Sequence, residues 1–297
     1  MALTSKLVKN VIGDFDDTLK GIYPATEIRQ FVYILFEEYL GWQRTKLHLS
    51  PDAEIPDHAM NLFTMALSEL VKGKPVQYIL NKTWFDGIRL KVDEHVLIPR
   101  PETGELCSNI KSDQSRNMNR HISILDIGTG SGCIAIDLKK YFSLAQITAV
   151  DCSADALDIA AENARANDCT VFFKQADILD QLQWTMFGNF NLIVSNPPYV
   201  LDSEKTAMQR NVTEFEPDQA LYVRDQDPLV FYRAICGFAA SHLVSQGSLY
   251  VEINEKFGRE VSELFSSFGF KEVRIMVDFF GKERFVAGTF EASPAAS

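Results

Sequence analysis

No stretch of this 297-residue chain approaches the ~18 consecutive apolar residues of a membrane-spanning helix, so no transmembrane segment is expected. The opening residues, MALTSKLVKNVIGDFDD, hold no apolar secretory stretch and soon turn acidic. Neither a signal peptide nor an Arg-rich transit peptide is expected, and the chain reads as cytoplasmic. Cysteine is sparse: Cys107, Cys133, Cys152, Cys169 and Cys236 are odd in number, scattered and never spaced CxxC. That spacing argues against a disulfide framework or a zinc site and favours reduced, buried thiols. His48, His58, His95, His121 and His242 are equally isolated, so no metal is expected. Basic charge is also short. The 29 Lys and Arg face 40 Asp and Glu, a net charge of −11, most of it after residue 99. A protein that holds duplex nucleic acid normally presents a basic surface, so no stable nucleic-acid partner is expected.

What is present is ample apolar material: 46% hydrophobic residues suit one large or two modest domains. Up to about residue 80 the pattern is helical. Ile28, Phe31, Val32, Leu35, Phe36 and Tyr39 predict a helix over Glu27–Leu40; Leu62, Phe63, Ala66, Leu67 and Leu70 predict one over Asp57–Val71. Gly73-Lys74-Pro75 stops the second. Thr83–Val92 reads as a hairpin turning at Asp86-Gly87. Lys111–Arg120 is polar and aperiodic and reads as a mobile loop with solvated Lys111, Arg116 and Arg120.

From Ile122 the rhythm becomes strand, helix, strand, helix. Strands are predicted at Ile122–Ile127, Gln146–Val150, Val171–Lys174, Leu192–Ser195, Ser248–Ile253, Val273–Val277 and Phe285–Thr289. Helices are predicted at Cys133–Tyr141, Ala154–Asn167, Pro228–Leu243 and Phe257–Phe268. Such alternation makes an α/β fold with a mostly parallel sheet covered on both faces, closed by an antiparallel pair around Phe280-Gly281-Lys282.

The first of these strands runs into Asp126-Ile127-Gly128-Thr129-Gly130-Ser131-Gly132. Glycines between a strand and a helix let the backbone turn sharply and approach a ligand. The spacing is GxGxG and position 133 is Cys, so the dinucleotide fingerprint is not met. Asp126 precedes the turn. Asp151 ends the next strand, where a carboxylate is placed to accept from ribose hydroxyls, although Ser153 beside it is also a fair helix cap. Asp177, before Ile178, follows the third strand, where a carboxylate is placed to accept from an adenine amino group. No phosphate-loop lysine accompanies them. Three carboxylates at three strand ends fit a cofactor that bears adenosine without phosphates.

The fourth strand runs into Asn196-Pro197-Pro198-Tyr199. Two consecutive prolines fix φ, and the first pushes Asn196 to an extended conformation. The Asn196 amide oxygen and the Pro197 carbonyl thereby become rigid acceptors, matched to the two donors of a planar NH2 group. Accepting both N–H bonds favours a pyramidal nitrogen with its lone pair exposed, and Tyr199 is placed to stack on the substrate plane and face a sulfonium. The reaction these residues suit is methyl transfer from S-adenosylmethionine to an amide or amine nitrogen.

The chain resembles the N(5)-glutamine methyltransferase family that modifies peptide chain release factors, the HemK family. The resemblance runs through PVQYILNKTWFDGIRLKV, VLIPRPETGEL, DIGTGSGCIAI, AVDCSADALDIAAENA, SNPPY, EPDQAL and DPLVFYRAI. Ile98-Pro99-Arg100-Pro101-Glu102-Thr103 is its most selective part, whereas Asn-Pro-Pro-Tyr is shared by several nitrogen methyltransferase families. The resemblance implies an N-terminal helical substrate-docking domain over 1–80, a hairpin linker over 81–98 and a Rossmann-like seven-stranded class I methyltransferase domain over 99–291. Residues 292–297 are expected to form a disordered tail. It implies S-adenosylmethionine contacts from Asp126, Gly128, Thr129, Gly130, Ser131, Gly132, Asp151, Asp177, Ile178 and Asn196, with Asn196, Pro197, Pro198 and Tyr199 holding and activating a glutamine. The implied substrate is the glutamine of the Gly-Gly-Gln motif of class I release factors, the enzyme acting as a monomer. An adenine-N(6) nucleic-acid methyltransferase and a ribosomal-protein glutamine methyltransferase remain alternatives. Two departures stand out: Gly104 replaces a usual acidic residue, and Asn254–Phe257 replaces a Gly- and Gln-containing stretch.

Overall fold

The computed structural model describes Leu3 and residues 5–291; the tail expected at 292–297 lies outside the described residues. The chain divides into two compact units, one of residues up to Leu80 with Arg210–Phe215, the other of Asn81–Gln209 with Glu216 onward.

The first unit contains α1 (Val8–Leu19), α2 (Ala25–Leu40), α3 (Arg44–Leu49), α4 (Asp57–Val71) and α5 (Val76–Leu80), joined by α9 (Arg210–Phe215). The apolar stripes foreseen on α2 and α4 meet in one core, with Phe36 and Phe63 rings 4.6 Å apart. Gly41 ends α2 in the left-handed region at φ 64°, its N–H and that of Trp42 donating to Glu37 and Phe36 carbonyls.

The second unit opens with the hairpin β1 (Thr83–Phe85) and β2 (Ile88–Leu90). Asp86 and Gly87 both take positive φ, 48° and 77°, as a two-residue turn of this kind demands. Then comes α6 (Pro101–Asp113), which the sequence pattern did not reveal. Pro101 sits at its first turn with Glu102, and Leu106, Cys107 and Ile110 form its buried face. Lys111, expected in a mobile loop, instead lies in the last turn of α6. Its ammonium donates to Asp137 at 2.7 Å and Asp86 at 3.0 Å, which corrects the solvated reading. A single 3-10 turn at Ser115–Asn117 follows.

The main sheet is built from β3 (Ser123–Ile127), β4 (Gln146–Asp151), β5 (Phe172–Gln175), β6 (Phe190–Ser195), β9 (Leu243–Glu252), β10 (Phe270–Val277) and β11 (Glu283–Phe290). Its seven strands run in the order β10-β11-β9-β6-β3-β4-β5, parallel except for β11, which is antiparallel to both neighbours. A two-residue parallel pair, β7 (Val200–Leu201) with β8 (Tyr222–Val223), lies apart from it. The helices α7 (Cys133–Tyr141), α8 (Ala154–Ala166), α10 (Asp218–Leu221), α11 (Val230–His242) and α12 (Gly258–Ser267) complete the unit. Two apolar cores flank the sheet, one around Leu106, Ile134, Leu138 and Phe142, the other around Tyr232, Phe238, Val261 and Phe265. The fold is therefore α/β with a mostly parallel sheet, as the strand–helix alternation predicted, and seven-stranded and Rossmann-like, as the resemblance implied. β9 begins at Leu243, five residues earlier than its apolar run suggested, because α11 passes into it without a loop. The strand order reverses between β3 and β6, and the crevice beyond their carboxyl ends is where such sheets bind ligands.

Candidate active site

A cavity of about 240 Å³ opens at that crevice. One wall is the Gly-rich turn after β3. The N–H groups of Gly128 and Thr129 donate to the Val150 carbonyl at 2.8 and 3.0 Å, which ties the turn to the end of β4. Gly130, at φ 51°, would point a Cβ into open space, so the missing side chain leaves room for a ligand there.

Asp151 closes the floor. Its Oδ2 accepts from Gly130 N–H at 2.9 Å and its Oδ1 from Ser153 N–H at 3.0 Å, so two backbone donors fix the carboxylate in the cavity wall. Ser153 caps α8, accepting from Ala156 N–H at 3.2 Å, and leaves the Asp151 carboxylate in the cavity wall. Asp177 and Ile178 also line the cavity, and Asp177 Oδ1 accepts from Leu179 N–H at 2.9 Å. Thr129 and Ser131 line the cavity as well.

Two expected cofactor contacts are placed differently. Asp126 is fully buried and does not reach the cavity wall; Thr129 Oγ1 donates to its Oδ2 at 2.6 Å. Burial raises its carboxyl to about 7, with the Thr129 hydrogen bond working against that shift. Asp126 therefore braces the turn through Thr129 and presents no exposed face to the cavity. Gly132, at φ 81°, also lies off the wall. A Cβ there would come within 3.2 Å of Ala160 Cβ and 3.3 Å of Ile136 Cδ1, so this glycine serves the close packing of α7 on α8. Gly132→Ala should cost about 1–3 kcal/mol by overpacking. Equilibrium urea unfolding showing a midpoint equal to the native one would contradict that role.

The reactive turn is held by Thr103, the last residue of the selective segment, and by Glu252, which the sequence reading did not single out. Asn196 Nδ2 donates to Thr103 Oγ1 at 3.0 Å; Thr103 Oγ1 donates to Glu252 Oε2 at 2.7 Å. The Tyr199 hydroxyl donates to the other oxygen, Glu252 Oε1, at 2.9 Å. Glu252 is wholly buried at the end of β9, and burial raises its carboxyl to about 7. Desolvation, then the adjacent Glu252 charge, keep the Tyr199 phenol protonated far above its usual range. Asn196, Pro197 and Pro198 line the cavity, but Tyr199 does not. Its hydroxyl anchors the turn to Glu252, and the ring lies off the cavity wall where stacking on the substrate was expected.

The two departures from the family pattern also find places. Asn254 Nδ2 donates to the Tyr199 carbonyl at 3.2 Å and to Glu204 Oε2 at 3.1 Å, so it pins the exit of the turn. A Cβ on Gly104 would make only ordinary contact, 3.8 Å from the Phe85 ring. The selective Ile98–Thr103 segment is clasped by Glu216, whose side chain is 1% exposed. Glu216 accepts from Ile98 N–H at 3.1 Å and from the Arg100 guanidinium at 2.5 Å. The buried thiols Cys107 and Cys133 are pushed up by desolvation, Cys133 to about 12; Cys152, expected to be buried, is exposed and lines the cavity.

The cavity thus offers Asp151 and Asp177, a side-chain-free approach at Gly130, apolar surface from Ile178, Phe231 and Ile235, and no lysine. Its single guanidinium, Arg100, is engaged by Glu216. That donor set suits adenosine joined to a cationic sulfonium and offers little to a phosphate. A cavity of this chemistry, on a sheet of this strand order, defines an S-adenosylmethionine-dependent methyltransferase.

Comparison with known proteins narrows the class. The Methyltransferase small domain family matches residues 106–215, and the PrmC N-terminal domain family matches residues 15–80. The release factor glutamine methyltransferase of Flavobacterium psychrophilum is 40% identical over 96% of this chain and 99% of its own length. That of Bacteroides thetaiotaomicron is 37% identical over 90% and 94%. Among solved structures, the METTL16 methyltransferase domain (TM-score 0.52, 14% identity) aligns with 69% of this chain and 90% of its own. It shares the fold alone. The chain belongs to the release factor glutamine methyltransferase family.

Proposed function

We propose that this enzyme transfers a methyl group to the side-chain nitrogen of the glutamine in the Gly-Gly-Gln motif of class I release factors. The observation that carries the reading is the Asn196 amide. Its nitrogen is committed to Thr103, which leaves its oxygen on the other side of the amide as an acceptor. An acceptor held at a cavity edge beside Pro197 suits a ligand that brings N–H donors, which a primary amide does.

S-adenosylmethionine, when bound, supplies an electrophilic methyl on a sulfonium. Asp151 and Asp177 are the residues to hold its ribose and adenine, and Thr129, Gly130 and Ile178 shape the pocket around it. Asn196 Oδ1 and the Pro197 carbonyl accept the two N–H bonds of the glutamine amide. The nitrogen lone pair is thereby turned out of conjugation and toward the methyl. Fixing this alignment is worth about 7–11 kcal/mol of barrier, and fixed dipoles add a few more. Two glycines before the glutamine let a loop enter without Cβ obstruction.

The family's protein substrate and the net charge of −11 both favour a folded protein partner over a nucleic-acid backbone. The N-terminal helices, with almost no net charge, are the docking surface in this reading; the enzyme works as a cytoplasmic monomer without stable nucleic-acid binding. Incubation with labelled cofactor and intact class I release factor, a short Gly-Gly-Gln peptide, or RNA tests it. Label should enter the intact protein far faster than the peptide and should not enter RNA; label confined to RNA would defeat the reading.

A further inference from the structure

Glu252 is a fully buried carboxylate on a strand whose neighbours are apolar, and a buried charge costs several kcal/mol unless its oxygens are satisfied. Both oxygens here are occupied by hydroxyls of the reactive site, Thr103 on one and Tyr199 on the other. An ionised carboxylate only accepts, so the single proton of Thr103 Oγ1 is committed to it. What remains on Oγ1 is lone pairs. The group 3.0 Å away on Asn196 must then be the donor of the amide, Nδ2, and the amide oxygen must lie on the opposite side. We propose that Glu252, acting through Thr103, is the positioning residue that turns the Asn196 amide so that its oxygen, rather than its nitrogen, meets the acceptor substrate.

The relay does more than hold a rotamer. Were Asn196 inverted, its NH2 would face the NH2 of the glutamine, donor against donor, and the pairing that orients the lone pair would be lost. Glu252 and Thr103 thus make the site selective for acceptors that bring hydrogens on nitrogen, a refinement that rests on the amide-methylation reading above. Through Tyr199 the same carboxylate anchors the other end of the Asn-Pro-Pro-Tyr turn, so both ends share one reference point.

Protonation of Glu252 would undo the relay, because a carboxylic acid has a proton to give and frees the Thr103 hydroxyl to turn toward Asn196 Oδ1. The groups that face Glu252 are Thr103 and Glu102 on α6, Tyr199 after β6, Tyr232 on α11 and Arg284 on β11. Arg284 stays cationic and lowers the Glu252 carboxyl; Glu102 raises it; both tyrosines stay neutral. Burial dominates and leaves the carboxyl near 7, so the ionised, correctly oriented form is present above that pH and is lost below it.

The test compares Thr103→Val, which keeps shape but removes the hydroxyl, with Thr103→Ser, which keeps the hydroxyl. Glu252→Gln is an isosteric second variant. Single-turnover rates on intact release factor are read beside cofactor affinity by calorimetry. Thr103→Val and Glu252→Gln should lower the rate about 10²–10³-fold, the loss typical of a removed preorganised group. Cofactor affinity should stay native, and Thr103→Ser should recover to within about fivefold. The native rate should fall as pH drops through about 7, and Thr103→Val should lose that limb. A Thr103→Val rate within about threefold of native, or a Thr103→Ser rate as low as that of Thr103→Val, overturns the relay. If the native enzyme methylates no release factor glutamine, the parent reading fails instead; if it does and the variants match it, only the relay fails.

Discussion

Asn196→Ala should leave cofactor affinity within about threefold of native while single-turnover methylation falls by about 10²–10³-fold. The side chain lines the cavity but makes no hydrogen bond to Asp151 or Gly130, so its removal leaves the Asp151–Gly130 cradle intact. In the proposed reading, what disappears is the oxygen that accepts one N–H of the substrate amide, and with it the alignment of the nitrogen lone pair. Folding should suffer little, since one part-buried hydrogen bond contributes about 0.5–1.5 kcal/mol. A variant of native thermal stability that still turns over at a near-native rate would show the turn to be purely structural.

Asp151→Ala should weaken cofactor binding about ten- to hundredfold, equivalent to charged hydrogen bonds of about 1.5–3 kcal/mol. The effect has two sources. The carboxylate is the acceptor at the end of β4, and it also restrains Gly130 and Ser153 through their backbone N–H groups. Asp151→Asn separates them, because an amide keeps one acceptor oxygen while removing the charge, and should fall between native and Ala. Calorimetric titration that finds native affinity in the Ala variant would move the cofactor elsewhere in the crevice.

The parts of this site legible in the sequence are those that lie next to each other along the chain. Gly128 to Gly132 follow a buried strand, Asp151 ends the next, Asp177 follows the third, and Asn196–Tyr199 follow the fourth. Strand-to-helix periodicity locates all of these, and α7 came out with its observed bounds, Cys133–Tyr141. The supporting residues were hidden by distance. Thr103 and Glu252 are 149 residues apart, and nothing in either neighbourhood announces the other. A signal did exist: in Leu249-Tyr250-Val251-Glu252-Ile253 a carboxylate interrupts a run that is otherwise buried, and such a group demands partners. Helix α6 was lost because its few apolar residues were outweighed by polar neighbours, although proline at its start, followed by glutamate, marks a helix entry. Direct contact from Asp126 was expected from its position in the motif. Its depth in an interior strand, which takes it off the cavity wall, is invisible to a pattern read along the chain.

The central claim, that the acceptor is an amide nitrogen of a release factor glutamine, is tested most directly by mass spectrometry of release factor after reaction with the native enzyme. The account predicts one added methyl, fragmenting to the side chain of the glutamine in the Gly-Gly-Gln motif, and none when that glutamine is replaced by asparagine, whose shorter side chain brings the amide short of Asn196. A methyl group on any other residue, or an unmodified release factor beside methylated ribosomal protein or RNA, would contradict it.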